Sequence, residues 1–127
     1  MADYAGRKWR ICASEELPDS GLGKRFQAEW AGVPAPGFVV RWHGKVQGYL
    51  NACAHIPVEL DFNEGDFFDL SRSYLICATH GAYYRPDTGL CLGGPCKGAR
   101  LTKLVLVEEG GEVFFLPDAR PEQDGWR

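Results

Sequence analysis

The sequence contains no apolar run long enough to cross a membrane, and no stretch in which apolar residues recur at helical spacing for three turns. It also lacks clusters of lysine and arginine, because its 14 basic residues occur in ones and twos and its net charge is only -3. These absences exclude a helical bundle, a membrane span and the basic surface that nucleic acids require. We therefore expect neither a membrane nor a nucleic-acid partner.

We also expect no targeting segment at the start of the chain. The first ten residues carry four charged side chains, which leaves no apolar stretch of the length that a secretory signal needs. We therefore expect a cytoplasmic protein, in which thiols stay reduced. The five cysteines, an odd number, are then expected to be metal ligands or core residues rather than a disulfide framework.

Val, Phe, Trp and Tyr are concentrated in short runs between Gly, Pro and Asp, a pattern typical of β-strands. We predict a single all-β domain over residues 1–127, with a polar C-terminal tail at about 117–127. His43-Gly44-Lys45 and Gly110-Gly111 tolerate positive φ and are predicted to form hairpin turns. The predicted strands are Trp9 to Ala13, Arg25 to Trp30, Phe38 to Trp42, Val46 to Asn51, Tyr74 to Ala78, Ala82 to Arg85, Leu104 to Glu108 and Val113 to Leu116.

Two of the three histidines occur in Cys/His pairs, Cys53-Ala54-His55 and Cys77-Ala78-Thr79-His80, which are separated by twenty-one residues. In an extended loop residues two apart point the same way, and a turn can do the same for residues three apart, so each pair can reach one side of a bound centre. Two thiolates and two imidazoles could bind tetrahedral zinc or a two-iron cluster. Common zinc fingers group Cys with Cys and His with His, so the mixed order favours the two-iron cluster.

The pattern Cys-x-His, a spacer and Cys-x-x-His-Gly, followed by the Gly93-Gly94-Pro95 turn, resembles the Rieske family. The resemblance extends over about Phe38 to Leu116. It implies a Rieske-type antiparallel β-sandwich with a small cluster-binding subdomain at about 52–96. That subdomain would consist of two ligand loops and a Gly-Pro loop, and the long spacer would form an extra loop around Phe62 to Asp69.

The same resemblance implies one [2Fe-2S] cluster per chain, with Cys53 and Cys77 on the inner iron and His55 and His80 on the outer iron. It implies no catalytic residues. The expected function is that of a ferredoxin-type electron carrier, which passes one electron from a flavin-containing reductase to a terminal oxygenase or similar acceptor. The alternatives are a small non-catalytic Rieske subunit of a larger oxidoreductase, a redox-sensing module and a zinc-binding module.

Four positions bear on the reduction potential that the resemblance implies. Ala82 stands where high-potential members have a Ser that donates to a cluster sulfide, and Tyr84 matches a Tyr that could bond to a ligand thiolate. Val58 and Thr79 stand where high-potential members have a disulfide. We therefore expect a potential in the lower half of the Rieske window, which spans about -150 to +300 mV.

Two further features leave alternatives open. Glu59 to Asp69 contains five acidic residues and no basic one, interleaved with three phenylalanines, and could be a docking surface for a basic partner or a solvated loop with aromatic anchors. Cys91 and Cys96 flank the third loop, and a disulfide, a spare ligand or a packing role is conceivable for them. Cys12, in an apolar strand, is expected to be a core residue.

Overall fold

The computed structural model describes residues 7–53, 58–61, 63–79, 81–94 and 97–119. Over these ranges the regular elements are strands and one 3₁₀ turn, Ser14–Glu16, which confirms the all-β prediction. In the same ranges, no helix is long and apolar enough to span a membrane. In chain order the strands are β1 (Trp9–Ala13), β2 (Lys24–Trp30), β3 (Val33–Trp42), β4 (Lys45–Leu50), β5 (Leu75–Ile76), β6 (Tyr83–Tyr84), β7 (Cys91–Gly93), β8 (Lys103–Leu104), β9 (Leu106–Glu109) and β10 (Glu112–Phe115).

The strands form three antiparallel sheets. The first sheet has the order β1-β10-β9, the second has the order β2-β3-β4-β8, and the third, which we call the small sheet, has the order β5-β6-β7. The second sheet is buried on both faces because residues along β3 alternate between two cores. Val39 packs with Cys12 and Val113 of the first sheet. Phe38 contacts the opposite core, which includes residues of the small sheet.

That opposite core places the small sheet against the second sheet. Its members include Leu75 and Tyr84 from the small sheet and Phe67 from the long spacer, all with 0% exposure. Phe67 stacks on Phe38 with ring centroids 4.0 Å apart. Burying one such ring contributes on the order of 1.5–3 kcal/mol, so this stack anchors the spacer to the scaffold.

Two tight hairpins connect the long strands of the second sheet. His43 and Gly44, between β3 and β4, have φ values of 52° and 81°, which confirms the predicted turn. Ala31 and Gly32, between β2 and β3, have φ values of 53° and 80°. This second hairpin was not predicted because Ala rarely adopts positive φ.

Strand β3 begins earlier than predicted, at Val33 rather than Phe38. Pro34 and Pro36 are unfavourable in a central strand, since proline cannot donate to a sheet ladder. In the structure, β4 pairs with β3 only from Gly37 onward, so both prolines have a single neighbouring strand, β2. The N–H groups that the two prolines lack therefore remove no hydrogen bond between β3 and β4.

The predicted strand Leu104 to Glu108 is wrong as a single element. The chain leaves the second sheet after β8 and enters the first sheet at β9, with Val105 between them. The predicted strands Tyr74 to Ala78 and Ala82 to Arg85 shorten to β5 and β6, and β7 was not predicted. The tail prediction lies mostly outside the described residues, although Asp118 accepts a hydrogen bond from Arg7 at 2.8 Å.

The small sheet is an insertion between two neighbouring strands of the second sheet. Strand β4 pairs directly with β8, with Tyr49 opposite Lys103. Beyond this pairing, the Leu50 N–H donates to the Thr102 carbonyl oxygen at 2.9 Å. The segment that carries both Cys/His pairs therefore leaves and re-enters the second sheet at adjacent points.

Candidate metal centre

The first Cys/His pair follows the end of β4. Cys53 is 4% exposed, and its N–H donates to the Val58 carbonyl oxygen at 2.8 Å, which closes a short loop. His55 lies in this loop but outside the described residues. The structure therefore places the sulfur of the first pair in the core and fixes the two ends of its loop.

The cysteine of the second pair follows β5 and begins a tight turn. Cys77 has 0% exposure, and its N–H donates to the Ala82 carbonyl oxygen at 2.8 Å. The Gly81 N–H donates to the Cys77 carbonyl oxygen at 2.8 Å, and Gly81 has a φ of 73°, which suits glycine. His80 lies outside the described residues.

The two cysteines belong to one buried cluster that also contains Tyr84 and Ala82. Both carry thiols and neither forms a disulfide. The Tyr84 hydroxyl lies 3.2 Å from the Cys53 Sγ atom, so this tyrosine contacts one of the two sulfurs that are predicted to be ligands. Burial disfavours a bare thiolate, whereas a metal and a hydroxyl donor stabilise it, so this environment fits a metal-bound sulfur.

The third loop packs against the second ligand turn. Gly94 has a φ of 91°, and a Cβ atom there would lie 2.8 Å from the Ala82 Cα atom. Glycine is therefore required for the close approach of the two segments. Pro95 and Cys96 lie outside the described residues.

Cys91, at the start of this loop, is 2% exposed. Its thiol donates to the Gly93 carbonyl oxygen at 3.2 Å. These observations favour the packing role that the sequence left open. Cys12 is 3% exposed, which confirms it as a core residue, and burial raises the pKa of its thiol.

The complete ligand set cannot be assembled from the described residues alone. Within residues 7–53, 58–61, 63–79, 81–94 and 97–119, no three Cys, His, Asp or Glu side chains group as a metal site. Two of the four predicted ligands, Cys53 and Cys77, are among the described residues, and they lie in the same core. The four-ligand set Cys53, His55, Cys77 and His80 therefore remains a prediction.

The acidic segment beside the first loop is not a uniform surface. Phe67 and Phe68 are 0% and 5% exposed, and the Asp61 side chain has 0% exposure. Glu64 and Asp66 are exposed, and Phe62 lies outside the described residues. The structure thus favours a loop with aromatic anchors over a continuous acidic docking surface.

Asp61 is a functional candidate that the sequence did not distinguish from its acidic neighbours. Burial alone raises the pKa of its carboxyl, but hydrogen bonds from Arg25, Asn51 and Gly65 outweigh burial and lower the pKa overall. The carboxylate is therefore charged in the core. Because Arg25 is 36 residues away in sequence, no local pattern could have revealed this pairing.

Comparisons with known proteins agree with the fold and identify the family. A family model described as Rieske [2Fe-2S] domain matches residues 7–114, whereas no curated protein matches the chain. The solved ferredoxin of carbazole 1,9a-dioxygenase from Nocardioides aromaticivorans IC177 is similar, with 22% identity and a TM-score of 0.70 over 89% of this chain and 100% of that chain. The terminal oxygenase of carbazole 1,9a-dioxygenase from Novosphingobium sp. KA1 has 20% identity and a TM-score of 0.72 over 94% of this chain but 32% of that chain.

A third similar chain occurs in a complex of reduced oxygenase and oxidized ferredoxin in carbazole 1,9a-dioxygenase, with 22% identity and a TM-score of 0.70 over 91% of this chain and 97% of that chain. At this level of identity the likenesses show the fold. The family match extends over most of the chain and contains both cysteines of the buried pair. The chain therefore belongs to the Rieske [2Fe-2S] domain family.

Proposed function

We propose that this protein is a one-electron carrier that holds one [2Fe-2S] cluster between its two ligand loops. Cys53 and Cys77 would bind the inner iron, and His55 and His80 would bind the outer iron. Two neutral imidazoles in place of two thiolates leave the oxidised cluster without formal charge, which makes addition of an electron easier than in an all-cysteine cluster. The bound cluster supplies the one-electron redox chemistry.

The described residues bury the cysteine side of this site and donate to it. Cys53 and Cys77 lie in the core, where surrounding apolar side chains exclude water from the sulfurs. The Tyr84 hydroxyl lies 3.2 Å from the Cys53 Sγ atom. It would donate a hydrogen bond to a metal-bound thiolate there and so favour the more negative state of the ligand. Ala82, on the second turn, offers no hydroxyl, so we keep the lower half of the Rieske window as the expected potential.

The observation that carries this proposal is the match to a ferredoxin over that protein's whole length. This chain covers 100% of the carbazole 1,9a-dioxygenase ferredoxin, but 32% of a terminal oxygenase of the same system. The likeness supports a carrier that receives an electron from a flavin-containing reductase and delivers it to a terminal oxygenase or a similar acceptor. We further propose that residues 1–127 form one domain, that residues 52–96 form its cluster-binding part, and that the protein acts in the cytoplasm.

The third histidine supports a non-catalytic role. A mononuclear iron site of the oxygenase type needs two histidines and a carboxylate beyond the cluster ligands. His43 lies in the β3–β4 turn and stacks on Trp42 at a centroid distance of 3.8 Å. It is separated from the first ligand loop by the length of β4, about 20 Å at 3.3 Å per residue.

Metal analysis and EPR spectroscopy of the purified protein test the proposal. We expect two irons and two acid-labile sulfides per chain, and a rhombic signal after dithionite reduction whose average g value is below that of all-cysteine clusters. Rapid reduction by a flavoprotein reductase would support transport over sensing. Colourless protein that contains zinc would refute the cluster, and a silent spectrum from iron-loaded protein would refute the mixed ligand set.

A further inference from the structure

Two of the three buried polar residues in the described chain lie next to the first ligand loop. Asn51 and Asp61 are each 2% exposed, and Asn51 precedes Cys53 by two residues. Neither is a proposed ligand. A carboxylate in the core is costly, and a buried ion pair is often replaceable by apolar residues without loss of stability. A gain in stability therefore does not by itself account for Asp61 at this position.

Three donors converge on the Asp61 carboxylate. Its Oδ2 atom accepts hydrogen bonds from Arg25 Nε at 2.8 Å and from the Gly65 N–H at 2.9 Å. Its Oδ1 atom accepts from Asn51 Nδ2 at 3.0 Å. Arg25 also donates to the Asp61 carbonyl oxygen at 3.0 Å. Since Arg25 belongs to β2, the carboxylate ties the segment after the first ligand loop to the second sheet.

The hydrogen bonds continue from Asn51 to the second ligand loop. The Asn51 Oδ1 atom accepts from the Leu60 N–H at 2.9 Å. The Leu60 carbonyl oxygen accepts from the Ala78 N–H at 3.0 Å, and Ala78 directly follows Cys77. One continuous chain of hydrogen bonds, which we call the relay, thus extends from Arg25 through Asp61, Asn51 and Leu60 to Ala78.

We propose that Asp61 is a positioning residue that, through this relay, holds the Cys53 and Cys77 loops in register for the cluster. The inference rests on the proposed function, which assigns both cysteines as ligands. The polarity of the relay is fixed at one end by the Leu60 N–H, which can only donate. Asn51 must therefore turn its oxygen to Leu60 and its amide nitrogen to residue 61, which must present an acceptor.

Because each donor and acceptor in the relay is fixed, exchanging the side chains of residues 51 and 61 tests the relay. In Asp61→Asn, the new amide oxygen can replace Oδ2 and accept from Arg25 and Gly65, but its nitrogen then faces the Asn51 nitrogen. Rotating the Asn51 amide only moves the donor–donor conflict to Leu60. Adding Asn51→Asp removes the conflict, because residue 51 then accepts both from residue 61 and from Leu60.

The experiment compares wild type, Asp61→Asn, the double exchange and the control Glu108→Gln. Glu108 pairs with Arg41 between β9 and β3, where the two side chains are 27% and 15% exposed and belong to neither ligand loop. Hydrogen exchange measures the opening of the Leu60 and Ala78 amides in metal-free protein. The rate of bleaching by an iron chelator and the width of the EPR signal measure how the cluster is held in loaded protein.

We expect Asp61→Asn to accelerate both amide exchange and bleaching by about tenfold or more, the effect of leaving one buried donor unpaired. Its EPR signal broadens as the ligand geometry becomes heterogeneous, and the double exchange recovers most of each change. Glu108→Gln changes none of them. Wild-type exchange and bleaching in Asp61→Asn, or no recovery in the double exchange, overturns the proposal.

The exchange measurement separates this inference from the proposed function. If the wild type binds no cluster but Asp61→Asn still opens the Leu60 and Ala78 amides, the relay exists and the cluster assignment is the part that fails. If Asp61→Asn does not fold, Arg25→Gln is the milder variant, since the Arg25 side chain is 33% exposed. We expect Arg25→Gln to accelerate amide exchange and bleaching by a smaller factor. Exchange of the Leu60 and Ala78 amides at the wild-type rate would contradict the relay.

Discussion

Removal of one hydroxyl group, in Tyr84→Phe, tests how the core tunes the cluster. The Tyr84 hydroxyl lies 3.2 Å from the Cys53 Sγ atom and the residue has 0% exposure, so phenylalanine keeps the packing and deletes the hydrogen bond. A donor to a thiolate stabilises the reduced cluster more than the oxidised one, because the reduced cluster carries the additional negative charge. The variant should therefore have a lower midpoint potential.

The size of the shift follows from the hydrogen bond. A hydrogen bond to a charged group is worth about 1.5–3 kcal/mol. If about half of this free energy is gained on reduction, the difference is about 0.8–1.5 kcal/mol, and at about 59 mV per tenfold change in a one-electron equilibrium the midpoint falls by about 30–65 mV. Protein-film voltammetry of both proteins at one pH measures this shift.

The neighbouring tyrosine supplies the control. Tyr83 is 38% exposed, and Tyr83→Phe deletes a hydroxyl from the same strand. We expect this control to retain the wild-type midpoint and both variants to retain full iron and sulfide content. An unchanged or higher midpoint in Tyr84→Phe, with the cluster intact, would refute the reasoning that this hydroxyl donates to a ligand sulfur.

Four further variants probe the scaffold and the site. Ala82→Ser should raise the midpoint, because it introduces a hydroxyl where high-potential members have one; voltammetry showing no rise would contradict this. Gly94→Ala should lose cluster and thermal stability, since left-handed backbone costs about 1–2 kcal/mol in a non-glycine residue and its Cβ atom would lie 2.8 Å from Ala82 Cα. Cys53→Ser should keep its far-UV circular dichroism but lose the redox wave, and an unaltered wave would exclude Cys53 as a ligand. Burial lowers the pKa of Lys103 to about 8 from an ordinary 10.5, so the unfolded chain holds this proton to higher pH. The free energy of unfolding of wild type relative to Lys103→Met should therefore be flat below pH 8 and rise by at most about 3 kcal/mol between about pH 8 and 10.5 in denaturant titrations; a fall would contradict the assignment.

Local patterns predicted most of the fold. The strands near Trp9 and Val113, and the turn at His43-Gly44, follow from residue preferences that act over a few positions. The break at Val105 could not be predicted, because Leu104 and Leu106 suit a strand equally well and only tertiary packing decides that they join different sheets.

At the site, too, local patterns identified some residues, whereas others depend on tertiary contacts. The Cys/His spacing pointed to Cys53 and Cys77, which the structure buries in one core, and the position of Tyr84 predicted a contact that the structure shows with the Cys53 sulfur. Asp61 was instead grouped by composition with an acidic segment that could be a docking surface or a solvated loop with aromatic anchors. Its burial depends on Arg25, on a strand distant in sequence, so side-chain chemistry alone could not reveal it.

The adjacency of β4 and β8 has a consequence for how such a protein can change. Because Leu50 and Thr102 are joined by a hydrogen bond of 2.9 Å, the segment between them leaves and re-enters the second sheet at one place. Additional residues in the spacer, which has twenty-one residues between His55 and Cys77, do not alter the distance between these two strand ends. The redox half can therefore diverge in length while the β-scaffold keeps its register.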